Sequence, residues 1–216
     1  MMKLAHLAII VTLALATAAF AAETAENKAD TVKLFDGKTL NGWNGDKDLW
    51  RVEDGAIVGG SLDRPVTHND FLCTGDQYEN FELRYKIKLV GKDPNAGVQI
   101  RSKRVPDSHE VSGYQADAGQ QYWGCLYDEA RRNKLLACPE KDVQKKAVDR
   151  KGWNDYRVRC EGPRIQLWLN GQQTVDYTEE EADIPRKGII GLQVHAGAPS
   201  EAWYKDIVLR KLPDGK

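Results

Sequence analysis

Three short stretches carry the side chains best suited to chemistry on a polar ring. Residues 95–102 (NAGVQIRS) offer Gln99 and Arg101, residues 113–119 (GYQADAG) offer Gln115 and Asp117, and residues 191–197 (GLQVHAG) offer Gln193 and His195. In each stretch one residue separates the two polar side chains, so on a β-strand the pair shares a face. Planar amides, a guanidinium and a carboxylate can each make paired hydrogen bonds to vicinal hydroxyls. Histidine is the side chain best able to move a proton near neutral pH. A lone histidine on a strand is also often a satisfied structural residue, but Gly197 beside His195 leaves room for a ligand to approach the backbone.

Residues 113–132 add Tyr114, Tyr122, Trp123 and Tyr127, the carboxylates Asp117, Asp128 and Glu129, and the pair Arg131 and Arg132. Flat rings beside hydrogen-bonding groups suit a sugar, with Tyr122, Trp123, Tyr127 and Arg131 shaping one end of its site. The competing reading is a polar loop capping a sandwich. In residues 164–170, Ile165, Leu167 and Leu169 point inward, leaving Gln166 and Trp168 outward. An exposed tryptophan is unusual and can act as a stacking platform. By contrast, the outward residues of the 81–89 strand are Glu82, Arg84, Lys86 and Lys88, an ordinary solvated face. The four chemistry-bearing faces converge only if their strands share a sheet; the alternative is that they lie in different sheets and are merely polar.

The elements that must position these groups are strands. Asp54-Gly55 and Asn170-Gly171 each separate two β-rich runs and predict tight hairpins. Many short strands with frequent turns and no sustained amphipathic helix predict an all-β sandwich of two antiparallel sheets. Residues 120–149 read as a looser segment, charged in its later part. Residues 1–21 have a basic start, an apolar run and a small-x-small end at Ala19-Phe20-Ala21, which predicts a signal peptide and an exported, periplasmic or secreted protein. Residues 22–31 read as a flexible segment and residues 32–212 as one domain.

Lys and Arg number 31 against 32 Asp and Glu, so nothing points to nucleic acid or to a membrane surface after signal cleavage. Four cysteines allow three pairings, and Cys125–Cys138 is the one expected here. Cys73 and Cys160 read as buried thiols or a second bridge. His68 and His109 read as surface residues. A retaining glycosidase needs two carboxyls about 5 Å apart. Asp128 and Glu129 are adjacent, so on a strand they point apart, and no stretch matches the E-x-D-x-x-E strand of laminarinase-like hydrolases. No P-loop, G-x-G-x-x-G before a helix, or G-x-S-x-G is present.

In order and spacing, LFDGKTLNGW, WRVEDGAIVGG, YENFELRYKIKL, NAGVQIRS, GYQADAG, RIQLWLNGQQTVDY, GIIGLQVHAG and KDIVLRKL resemble the 3-keto-disaccharide hydrolase domain family from about Val32 to Leu212. That resemblance implies a concanavalin-like jelly roll acting on a small oligosaccharide or 3-keto-glycoside. A C3 ketone acidifies the C2 proton; a base removes it, and the C1 oxygen substituent leaves. His195, Asp117 or Glu129 would supply the base or acid, and Arg101, Gln99 or Gln193 the donors to an enolate oxygen. Gln115 matches another polar position of the family. A non-catalytic sugar-binding domain is the rival reading. The sequence demands no cofactor and shows no metal-ligand cluster, although a divalent ion could replace a donor as the electrophile. It leaves the oligomeric state open.

Overall fold

The computed structural model describes residues 30–213, so the expected signal peptide and nearly all of the segment after it lie outside the described residues. Two antiparallel sheets pack face to face. One sheet runs in the order β13 (Gln172–Thr178), β12 (Arg164–Leu169), β11 (Asn154–Glu161), β6 (Phe81–Gly91), β15 (Ser200–Lys211), β4 (Ala56–Ser61) and β3 (Trp50–Glu53), with β1 (Thr31–Lys33) also paired to β15. The other runs β10 (Lys134–Ala137), β9 (Leu126–Glu129), β8 (Val111–Gly119), β7 (Asn95–Arg104), β14 (Ile189–Val194), β5 (Asp70–Thr74) and β2 (Trp43–Asn44).

Alternation makes the core. Leu83, Tyr85 and Ile87 of β6, with Val158 of β11 and Leu209 of β15, meet Val98 and Ile100 of β7, Ala116 of β8 and Leu192 of β14. Both expected hairpins form, with Asp54-Gly55 and Asn170-Gly171 at positive φ throughout, as a type I′ turn requires. One helix, α1 (Lys141–Ala147), occupies part of the segment read as loose. Its Gln144 amide donates to the carbonyls of Gln121 and Trp123 and holds the turn after β8.

Two tyrosines cross the sandwich from the eight-stranded sheet. The Tyr204 hydroxyl lies 3.1 Å from the Gly97 carbonyl and 2.5 Å from that of Gln193, on β7 and β14. Tyr156 donates to the Asp117 carbonyl at 2.7 Å and accepts from the Gly124 N–H at 2.9 Å. Burial pushes both phenols up, so they stay neutral donors.

Candidate active site

Residues opposite each other in a sheet share a face, and register therefore decides what meets on the outer side of the seven-stranded sheet. Gln99 pairs with Gln115, Gly97 with Asp117, and Gln115 with Tyr127. On the far side of β7, Gly97 pairs with Gln193. Gly97 is needed here, because a Cβ on it would come within 2.7 Å of the Gln115 side chain. The Gln115 side chain lies across the gap.

Asn95, Gln115, Asp117, Tyr122, Tyr127, Glu129 and His195 line one hollow of about 190 Å³. The structure thus brings together Gln115, Asp117, Tyr122, Tyr127, Glu129 and His195 from the sequence-predicted set. Asn95 is an addition. It precedes Gly97 and Gln99 at the same parity, and its Oδ1 is buried without a hydrogen-bond partner. Glu129 arrives because residues 126–129 are a strand extending the sheet rather than part of a loose segment. Asp128 and Glu129 do point apart.

A buried hydrogen-bond chain leads to Asp117. Ser102 Oγ lies 2.9 Å from Gln99 Oε1, and Gln99 Nε2 donates to Gln115 Oε1 at 2.7 Å. Beside that bond, Gln115 favours the charged form of the Asp117 carboxyl. Even so, burial dominates and holds the Asp117 carboxyl well above the usual carboxylate range, against the Ala118 N–H and Gln115, with Glu129 adding to the rise. Burial, reinforced by Glu110, also raises Glu129, while His195 opposes the rise. His195 Nδ1 lies 2.7 Å from the Ala196 carbonyl. A carbonyl only accepts, so Nδ1 carries the proton and neutral His195 has its lone pair on Nε2. The hollow therefore holds a base nitrogen and two carboxyls biased toward the protonated form, the pairing expected of an acid–base site.

Several sequence expectations are corrected. Arg101 does not face the hollow. It sits at φ 49, and the β7–β8 register slips between Ile100 and Lys103, so alternation fails after Ile100. Its guanidinium instead donates to the carbonyls of Glu79 (2.8 Å) and Gly162 (2.7 Å) and to Asn80 Oδ1 (3.3 Å). Trp168 lies on β12 of the other sheet, directly opposite Arg157, whose guanidinium stacks 3.5 Å over the indole. Trp123 is buried in the core beside Tyr156. Arg131 pairs with buried Asp128 at 2.8 Å and covers Tyr114. Arg132 joins Asp128 to Glu179, which accepts from Tyr114 at 2.6 Å. Gln99 belongs to the chain beneath the hollow and orients Gln115. Gln193 is fully buried, and both of its amide atoms lack partners.

Cys125 and Cys138 are disulfide-bonded, their Cα atoms 4.2 Å apart, which links the turn after β8 to the end of β10. Cys73 and Cys160 are free, and burial pushes each thiol up to about 12, so neither is a poised nucleophile.

A sequence profile of the 3-keto-alpha-glucoside-1,2-lyase-like domain matches residues 30–210. No curated protein matches the chain in sequence. Among solved structures, a presumptive glycosyl hydrolase from Parabacteroides distasonis superposes with a TM-score of 0.67 at 21% identity, covering 87% of this chain and 96% of its own. The carbohydrate-binding module CBM66 from Bacillus subtilis gives 0.62 at 14% identity, covering 79% and 96%. A β-glucanase from Bacillus licheniformis gives 0.54 at 9% identity, covering 84% and 97%. At these identities the likeness shows the fold, a jelly-roll sandwich.

Proposed function

The chain belongs to the 3-keto-alpha-glucoside-1,2-lyase-like domain family, and we propose that it cleaves glycosides whose C3 hydroxyl has been oxidised to a ketone. The observation that carries this reading is that His195, whose Nδ1 is held by the Ala196 carbonyl, and the raised Asp117 carboxyl line one hollow. His195 Nε2 takes the C2 proton, and the electron pair moves onto the C3 oxygen as an enolate. The pair then returns to form the C1–C2 double bond as the C1–O bond breaks. Asp117, kept protonated by burial, gives its proton to the departing oxygen. Water can add to the unsaturated product afterwards, so elimination and net hydrolysis share the same first step. Glu129, near His195, and the Asn95 amide complete the polar wall.

The rival reading, a non-catalytic sugar-binding domain, finds its fold precedent in the CBM66 likeness. It gains less from the side chains. Trp168 is stacked under Arg157 on the other sheet and Trp123 is buried, so the indole platform such a module would use is not assembled. The proposal also places the protein outside the cytoplasm, where the Cys125–Cys138 bond would persist.

The test is turnover of a chromogenic 3-keto-α-glucoside. Wild type should release the aglycone, and a deuterium at C2 should slow release. His195→Ala should lose about 10²–10⁴ in kcat, the usual worth of a positioned base. Tight sugar binding with no aglycone release by wild type would instead mean the binding module.

A further inference from the structure

His68, Asp70 and His109 come from three places in the chain: the loop before β5, the first residue of β5, and the β7–β8 connection. Each offers one ligand atom, and these atoms all lie within 4.8 Å of one another. We infer that they form a binding site for a single divalent cation of the zinc class, separate from the hollow around Asp117 and His195.

The arrangement has the outer support that metal ligands need. The Trp50 indole N–H donates to Asp70 Oδ1 at 2.6 Å, which fixes the carboxylate and leaves Oδ2 directed to His109. His109 Nδ1 is 3.7 Å from that oxygen, too long for a hydrogen bond. A nitrogen and an oxygen on one tetrahedral zinc stand roughly 3.4 Å apart, given metal–ligand bonds near 2.1 Å. Little movement would therefore close the pair around an ion. His68 Nδ1 is 3.1 Å from Thr67 Oγ1, while its Nε2 is buried without a partner. An imidazole oriented through one nitrogen, with the other left for a ligand, is the usual state of a metal-binding histidine. The His68 and His109 rings lie 3.8 Å apart, centroid to centroid. A cation would give these crowded groups a common partner.

Two imidazoles and one carboxylate favour zinc-like cations over calcium or magnesium, which prefer oxygen shells. Three protein ligands leave a fourth position for water. The site also has a mechanical role. Arg104 donates to the carbonyl of Phe71, and Val111 packs on Phe71 and Cys73, so the β7–β8 connection lies over β5. His109 would fasten that arm at its tip. Asn69, between two ligands, accepts from the Ala196 N–H at 3.0 Å through Oδ1, so the fastening reaches the backbone beside His195.

The test uses untagged, chelator-treated protein titrated with Zn²⁺ by calorimetry and with Co²⁺ by visible absorption. One equivalent should bind, Co²⁺ should give a tetrahedral d–d spectrum, and Zn²⁺ should raise the Tm. Thr67→Val keeps all three ligands but frees His68, and should weaken binding about 10–100-fold, as loss of an outer-shell partner does. His109→Ala, a change at an exposed side chain, should weaken it further. Absence of stoichiometric binding by wild type overturns the inference. So does equal affinity in wild type, His68→Ala and His109→Ala.

Discussion

The hydroxyl of Tyr156, on the eight-stranded sheet, donates to the backbone carbonyl of Asp117, on the opposite sheet, at 2.7 Å. The same hydroxyl accepts from the Gly124 N–H, so one phenol joins the site strand, the turn that follows it and the far layer of the sandwich. A group on an outer face is thereby held from behind, through the core.

Tyr156→Phe removes both of these bonds and little else. Because Gly124 N–H also reaches the Asp117 carbonyl at 3.1 Å, neither group is stranded, and the cost should be about 1 kcal/mol by urea denaturation. Turnover should fall along with stability. Unchanged stability would mean that the cross-layer bond is not formed in solution.

Asp117→Asn should remove the proton donor while preserving shape. In wild type, kcat should decline on the alkaline side as the raised Asp117 carboxyl loses its proton, and in the variant that limb should vanish at a lower, flat rate. Stability follows the same sign. A folded-state pKa raised above 3.8 means that the folded chain holds the proton more tightly than the unfolded one. Its contribution is full below that value and is lost as pH rises through the folded pKa.

Arg101→Ala should damage folding more than chemistry. Its guanidinium bonds two carbonyls and Asn80 Oδ1, and losing charged hydrogen bonds costs roughly 1.5–3 kcal/mol each at most. A lowered Tm with near-normal kcat per folded molecule is expected. A variant of normal Tm and greatly reduced kcat would return Arg101 to the reaction.

Glu179 carries an acid-side prediction of opposite sign. Burial works against its charge, but Arg132 and Tyr114 outweigh it and hold its carboxyl at about 2, against an ordinary 4.5. The stabilisation is present above 4.5 and is lost as pH falls from there toward 2. Glu179→Gln should be less stable near neutrality and should lose less on acidification, as read by Tm against pH.

Sequence parity selected Gln115, Asp117 and His195 because their strands are regular up to those residues. It failed at Arg101, where one left-handed residue resets the alternation. No periodicity rule sees a bulge before the pairing is known. Trp168 failed for a different reason: a face was inferred correctly, but the sheet was not. The Glu161–Arg164 turn sets a register in which Arg157 opposes Trp168, so a guanidinium partner for the indole was readable from the hairpin. Tyr127 and Glu129 were suspected from composition alone, since the strand that presents them is only four residues long. The two histidines near Asp70 lie far apart in sequence, and only tertiary folding brings them together.

A hollow of about 190 Å³ falls below the roughly 300–1,000 Å³ of pockets that enclose drug-sized ligands. On the proposed reading it grips a single oxidised ring, and the departing half of the glycoside extends into solvent untouched. Discrimination among linkages and aglycones would then rest with whichever oxidation installs the ketone. This protein would accept any partner sugar that carries that mark, and its breadth of diet would be decided one step upstream.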